Sequence, residues 1–87
     1  MKISYVRIRL VSKEDNKLRA VASITIDDCF AVHDIKIIEG NDGVFIAMPS
    51  RKTNDGEYKD IAHPLNTETR DMIKQAVLKA YYDELNR

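Results

Sequence analysis

A chain of 87 residues makes one domain, 1–87, with a single core near the size at which burial barely offsets chain entropy. Lys and Arg total 14 and so do Asp and Glu, which excludes a global field that gathers polyanions and leaves only a local patch able to hold one. The lone Cys29 excludes an internal disulfide, and no apolar run approaches membrane-spanning length, so the chain reads as a cytoplasmic protein of a reducing compartment with no membrane partner.

Residues 3 to 11, ISYVRIRLV, alternate: Val6, Ile8 and Leu10 fall on one side and Tyr5, Arg7 and Arg9 on the other, which predicts a half-buried strand. Asp15-Asn16 is a turn signal. Residues 18 to 26 then alternate with Leu18, Ala20, Ala22, Ile24 and Ile26 on one face, an antiparallel partner for the first strand. Asp27-Asp28 breaks the pattern before a third strand over 30 to 38, rich in β-branched residues and closed by the turn signal Gly40-Asn41-Asp42-Gly43.

The apolar run Val44 to Met48 predicts a fourth strand, ended by Pro49, which removes a ladder donor. Asn54-Asp55-Gly56 tolerates the positive φ of a tight turn, and a return arm over 57 to 64 supplies a fifth strand. The stretch reads as a hairpin with Arg51, Lys52 and Lys59 at one end. After His63-Pro64 the period changes. Asn66 or Thr67 can cap a helix, Glu68 suits its first turn, and Met72, Ile73, Ala76, Val77, Ala80, Tyr81 and Leu85 form a stripe at helical spacing. The fold class is α+β: an antiparallel sheet of about five strands with one C-terminal helix of about five turns on one face.

Arg51, Lys52 and Lys59 have the chemistry of a phosphate site, since Arg offers a planar fork of donors and Lys a point charge. Composition alone favours a solvated loop, because Asp55 and Glu57 partly cancel the charge. Arg7 and Arg9, with Arg19 and Lys36 beside them, are placed to extend the patch or simply to keep a sheet face soluble. His33, Asp34, Asp60 and His63 are competent metal ligands and proton carriers. However, His33 and Asp34 fall on opposite faces of a strand, and no third orienting group is visible. No metal, cofactor, catalytic residue or small-molecule substrate is assigned. Cys29, between acidic neighbours and Phe30, reads as a small, partly buried residue. Tyr58, next to Lys59, is the tyrosine placed to stack on a base. Arg70, Lys74 and Lys79 are interleaved with acids and read as a solvated helix face.

Three ordered runs, Val32 to Gly40 (VHDIKIIEG), Gly43 to Thr53 (GVFIAMPSRKT) and Gly56 to Pro64 (GEYKDIAHP), resemble the signature of the SpoVG family of bacterial septation regulators. The similarity spans essentially the whole chain. It implies a small α+β domain, a homodimer joined through its sheet, and a non-enzymatic regulator that binds DNA and RNA and influences septation, sporulation and gene expression. The basic residues after the Met-Pro step, implicated in DNA binding in that family, correspond to Arg51 and Lys52. Asn54 stands where members often carry a further basic residue or proline, which leaves Lys59 as the nearest substitute. For the dimer interface, an edge strand near residues 30 to 38 is the expectation. The competing reading is a protein-interaction module that recruits its partner by strand addition.

Overall fold

A computed structural model describes residues 2–11 and 17–87, so the expected Asp15-Asn16 turn lies outside the described residues. Strands β1 (Ile3–Leu10), β2 (Leu18–Ile26), β3 (Phe30–Gly40) and β4 (Gly43–Ala47) form an antiparallel sheet in the order β1-β2-β3-β4. Two short strands, β5 (Ser50–Lys52) and β6 (Tyr58–Asp60), pair only with each other. Helix α1 (Thr67–Leu85) closes the chain. The α+β class holds, but the single five-stranded sheet does not. Strand β4 pairs with β3 and not with the return arm, because the two-residue turn at Asn41-Asp42 folds it straight back onto its predecessor.

The turns follow local chemistry. Asp27 (φ 51°) and Asp28 (φ 58°) both sit in the left-handed region, and the Cys29 amide donates to the Ile26 carbonyl at 3.0 Å. Short polar side chains tolerate that conformation. The first strand locks this turn: the Lys2 amide donates to Asp27 Oδ1 and the Asp28 amide to Ser4 Oγ, both at 2.8 Å.

Ala20, Ala22 and Ile24 of β2, Ile35 and Ile37 of β3, and Ile73, Val77 and Tyr81 of α1 form the buried core. The helix lies closest to β1 and meets β4 and β2 less closely, with the two small alanines of β2 beneath it. Its buried residues recur at i, i+4 and i+8, one stripe of a 3.6-residue period. That stripe is narrower than the sequence pattern, since Met72 and Leu85 remain exposed. Asn66 supplies the N-cap, its Oδ1 accepting from the Thr69 amide at 2.8 Å. Between Ala22↔Ile35 and Ile24↔Val32, β3 carries one residue more than β2, a bulge centred on Asp34 at φ 64°. The extra residue lets Val32 and Ile35 share the core side despite their odd spacing.

Strand β4 covers only residues 36–40 of β3. Residues 30–35 therefore present an open edge on that side, and Phe30 at its start is 63% exposed. The expected edge strand over 30 to 38 is thus an edge in its first half and an interior strand in its second.

Candidate nucleic-acid interface

The β5–β6 hairpin is built by its ends. At its base, Pro49 is buried and its carbonyl accepts from the Ile61 amide at 2.7 Å. At its tip, the Thr53 amide donates to the Glu57 carbonyl at 2.7 Å and the Gly56 amide to the Thr53 carbonyl at 3.0 Å. Gly56 adopts φ 81°, which a residue without Cβ takes at no steric cost. The expected Asn54-Asp55-Gly56 turn is present, but Arg51 and Lys52 belong to a strand and not to a loop. The hairpin forms a sheet separate from the four-stranded one, and its Ser50 borders a depression with Arg9, Asp34 and Lys36. The Cα radius of gyration is 13.3 Å and the body is flattened, 34 × 33 × 22 Å.

Register then decides which cations act together. Arg51 stands directly opposite Lys59, and Lys52 opposite Tyr58. Because neighbouring strand residues point to opposite faces, Arg51 and Lys59 share one face of the ribbon while Lys52 and Tyr58 share the other. The sequence places three cations at one end of a hairpin; the structure divides them two and one. Arg51, Thr53 and Lys59 line a shallow depression with Asp60 and Ile61, so one carboxylate borders the two cations.

Asp55, Glu57 and Asp60 balance the three cations of the hairpin in number, but none of them closes an ion pair with a cation among the described residues. The ion pairs among the described residues are Arg19–Glu39 at 2.6 Å, Lys79–Asp83 at 3.3 Å and Arg87–Glu84 at 3.3 Å. None involves Arg51, Lys52 or Lys59. Arg19, expected beside Arg7 and Arg9, is instead held by Glu39, whose hydrogen bond and charge raise the guanidinium pKa further. It drops out of the cationic patch. A like-charged pair directly opposite across two strands is destabilising. The hairpin carries that penalty at its centre.

The remaining candidates separate. His33 and Asp34 both border one depression on the helix-free face of the sheet, with Arg7 and Arg9, because the bulge at Asp34 cancels the alternation that would set them on opposite faces. His63 Nδ1 donates to the Pro64 carbonyl at 3.2 Å, the backbone bond expected of a turn histidine. No three His, Cys, Asp or Glu side chains converge as a metal site among the described residues. Cys29 is exposed in its turn, not partly buried. Tyr58 is 72% exposed beside Lys52. Tyr81 is in the core, where burial pushes its hydroxyl pKa up. Ile61 and Leu65 are exposed by 66% and 89%, which the sequence pattern did not show. The return arm, expected as strand over 57 to 64, is strand only at Tyr58–Asp60, and the chain leaves the ribbon at Ile61.

No described helix is long and apolar enough to cross a membrane. The SpoVG family model matches residues 1–83. Among curated proteins, one from Lachnospira eligens is 65% identical over 81 residues, covering 93% of this chain and 91% of the relative. One from Agathobacter rectalis is 61% identical over 85 residues, covering 98% and 97%. One from Phytoplasma australiense is 58% identical over 86 residues, covering 99% and 88%. Each carries the name "Putative septation protein SpoVG".

Proposed function

The chain belongs to the SpoVG family, and from that premise we propose that it is a homodimeric, non-enzymatic regulator of septation and sporulation that acts in the cytoplasm by binding nucleic acid through the β5–β6 hairpin. The observation that carries the reading is the separate two-stranded ribbon with Arg51 and Lys59 opposed at its centre, neither in an ion pair among the described residues. A major groove admits a two-stranded ribbon, and phosphates flanking the groove neutralise a cationic pair. The like-charge penalty is relieved when an anion sits between the two groups. Lys52 and Tyr58, on the reverse face, offer a second phosphate contact and an aromatic surface.

Dimerisation is supported by the open edge at residues 30–35 and by the exposed rings of Phe30 and Phe45. A second copy added there covers apolar surface that one small core cannot, and it doubles the number of hairpins offered to one polyanion. Charge reversal at Arg51 and Lys59 is expected to weaken binding to labelled duplex far more than reversal at Arg70 and Lys79. Equal losses at both pairs would remove the hairpin from the function. Light scattering that returned a monomer at micromolar concentration would remove the doubled patch. The same open edge favours a second reading, strand addition to a partner protein. It predicts no nucleic-acid binding even at low salt.

A further inference from the structure

The helix-free face of the four-stranded sheet carries a second cationic surface. On β1, Tyr5, Arg7 and Arg9 alternate outward and are exposed, Tyr5 by 58%. The register sets Arg7 against Ser23 and Arg9 against Val21, and Val21 in turn against Lys36 of β3. Central strand β2 thus shows Val21 and Ser23 between Arg7 and Arg9 of β1 on one side and Lys36 of β3, with Asp34 near it, on the other. Arg7 and Arg9 lie about 6.8 Å apart along their strand, and Arg9 and Lys36 about 9.6 Å apart across two strand spacings. None of the three is in an ion pair among the described residues. Asp34 is the counter-charge within the depression. The surface is continuous with the hairpin: Arg9 and Lys36 border a depression with Ser50 and Ile61, and Ile61 borders the next one with Arg51 and Lys59.

From this arrangement we propose that the helix-free face is a binding track for single-stranded nucleic acid, with Tyr5 stacking on a base and Arg7, Arg9 and Lys36 contacting the phosphates on either side of the Val21–Ser23 floor. The inference rests on the nucleic-acid reading above and adds the strandedness of the ligand. An open sheet four strands wide is too broad to enter a groove about 12 Å across, whereas it offers a flat floor to an unpaired strand whose bases lie on it. Exposed aromatics flanked by Arg and Lys are the recurring means of holding such a strand without sequence preference. RNA and single-stranded DNA share this chemistry.

The test uses the full chain and fluorescence anisotropy with a 15-nucleotide oligo(dT), an oligo(U) of the same length and a duplex, each over a salt series. Five contacts, Arg7, Arg9, Lys36, Arg51 and Lys59, predict a slope of log K against log salt near −3.5 on the single strands. The double variant Arg7→Ala/Arg9→Ala is expected to make that slope shallower by about 1.4 while leaving the duplex slope unchanged. Arg7→Lys/Arg9→Lys is expected to restore it. Tyr5→Ala is expected to weaken single-strand binding by about fivefold to a hundredfold. Retention of single-strand affinity and slope in Arg7→Ala/Arg9→Ala, with Arg51→Ala/Lys59→Ala still weakening both strand forms, overturns the track and leaves the hairpin function standing. Failure of the wild-type chain to bind any of the three probes overturns both. The substituted side chains are exposed, and matching circular dichroism spectra confirm that the variants fold.

Discussion

Lys59→Glu separates stability from binding, because the same substitution moves them in opposite directions. In the wild-type hairpin Lys59 faces Arg51 across the β5–β6 pair, and neither is in an ion pair among the described residues, though Asp60 borders the same depression. Replacing one cation with a carboxylate converts an unfavourable like-charged pair into a favourable one, a gain of about 0.5 kcal/mol for exposed groups. In a domain of this length that raises Tm by roughly 2–4 °C. The hairpin meanwhile loses two phosphate contacts, one by removal and one because the new carboxylate occupies Arg51. Each contact contributes about 0.9 to the slope of log K against log salt on a duplex, or about 3.5-fold between 50 and 200 mM salt. Two lost contacts therefore reduce the salt sensitivity over that range by about twelvefold per hairpin. Differential scanning calorimetry and duplex anisotropy read the two quantities on one preparation. A lower Tm, or an unchanged salt slope, would refute the claim that the opposed pair is held for an anion.

Three further expectations concern the fold. Asn66→Ala removes the side chain that accepts from the Thr69 amide and should cost about 1 kcal/mol in urea unfolding, with Asn66→Ser restoring most of it. Ile37→Ala opens the core beneath the helix and should cost about 2–5 kcal/mol, whereas Leu65→Ala, at a site 89% exposed, should stay within about 0.5 kcal/mol. Burial raises the Tyr81 pKa, so the folded chain keeps that proton longer than the unfolded one. The associated stability is intact below the unfolded value near 10 and is lost as pH rises through the folded value. The urea midpoint should accordingly fall between pH 9 and pH 11, and fall less in Tyr81→Phe.

The strands and the helix were legible because each obeys a local period. Val6 and Ile8, then Ala20, Ala22 and Ile24, then Ile73, Val77 and Tyr81 all lie where alternation or helical spacing puts them. What alternation could not give was pairing. The apolar run at 44–48 and the return arm at 57–64 look like two arms of one hairpin, yet the Asn41-Asp42 turn ties the first to β3 and leaves the second to a three-residue partner. Bulges were equally silent: one left-handed residue, Asp34, brings His33 and Asp34 to the same depression and keeps Val32 and Ile35 in step. At the candidate site the residue types were readable and their grouping was not. Arg51 and Lys52 are adjacent in sequence but divided by the pleat, while Arg51 and Lys59, eight residues apart, face each other. Arg19 could be withdrawn from the cationic surface only by a partner twenty residues away.

The central claim is that the hairpin binds nucleic acid through its opposed Arg51 and Lys59, and an anisotropy titration of the wild-type chain with labelled duplex and single strands over a range of about 50 to 300 mM salt tests it most directly. The account predicts saturable binding at low salt with log K falling linearly as log salt rises, and a shallower fall on the duplex when Arg51 and Lys59 are both replaced by alanine. No binding at 50 mM salt, or binding whose salt slope is the same in that double variant, would contradict it.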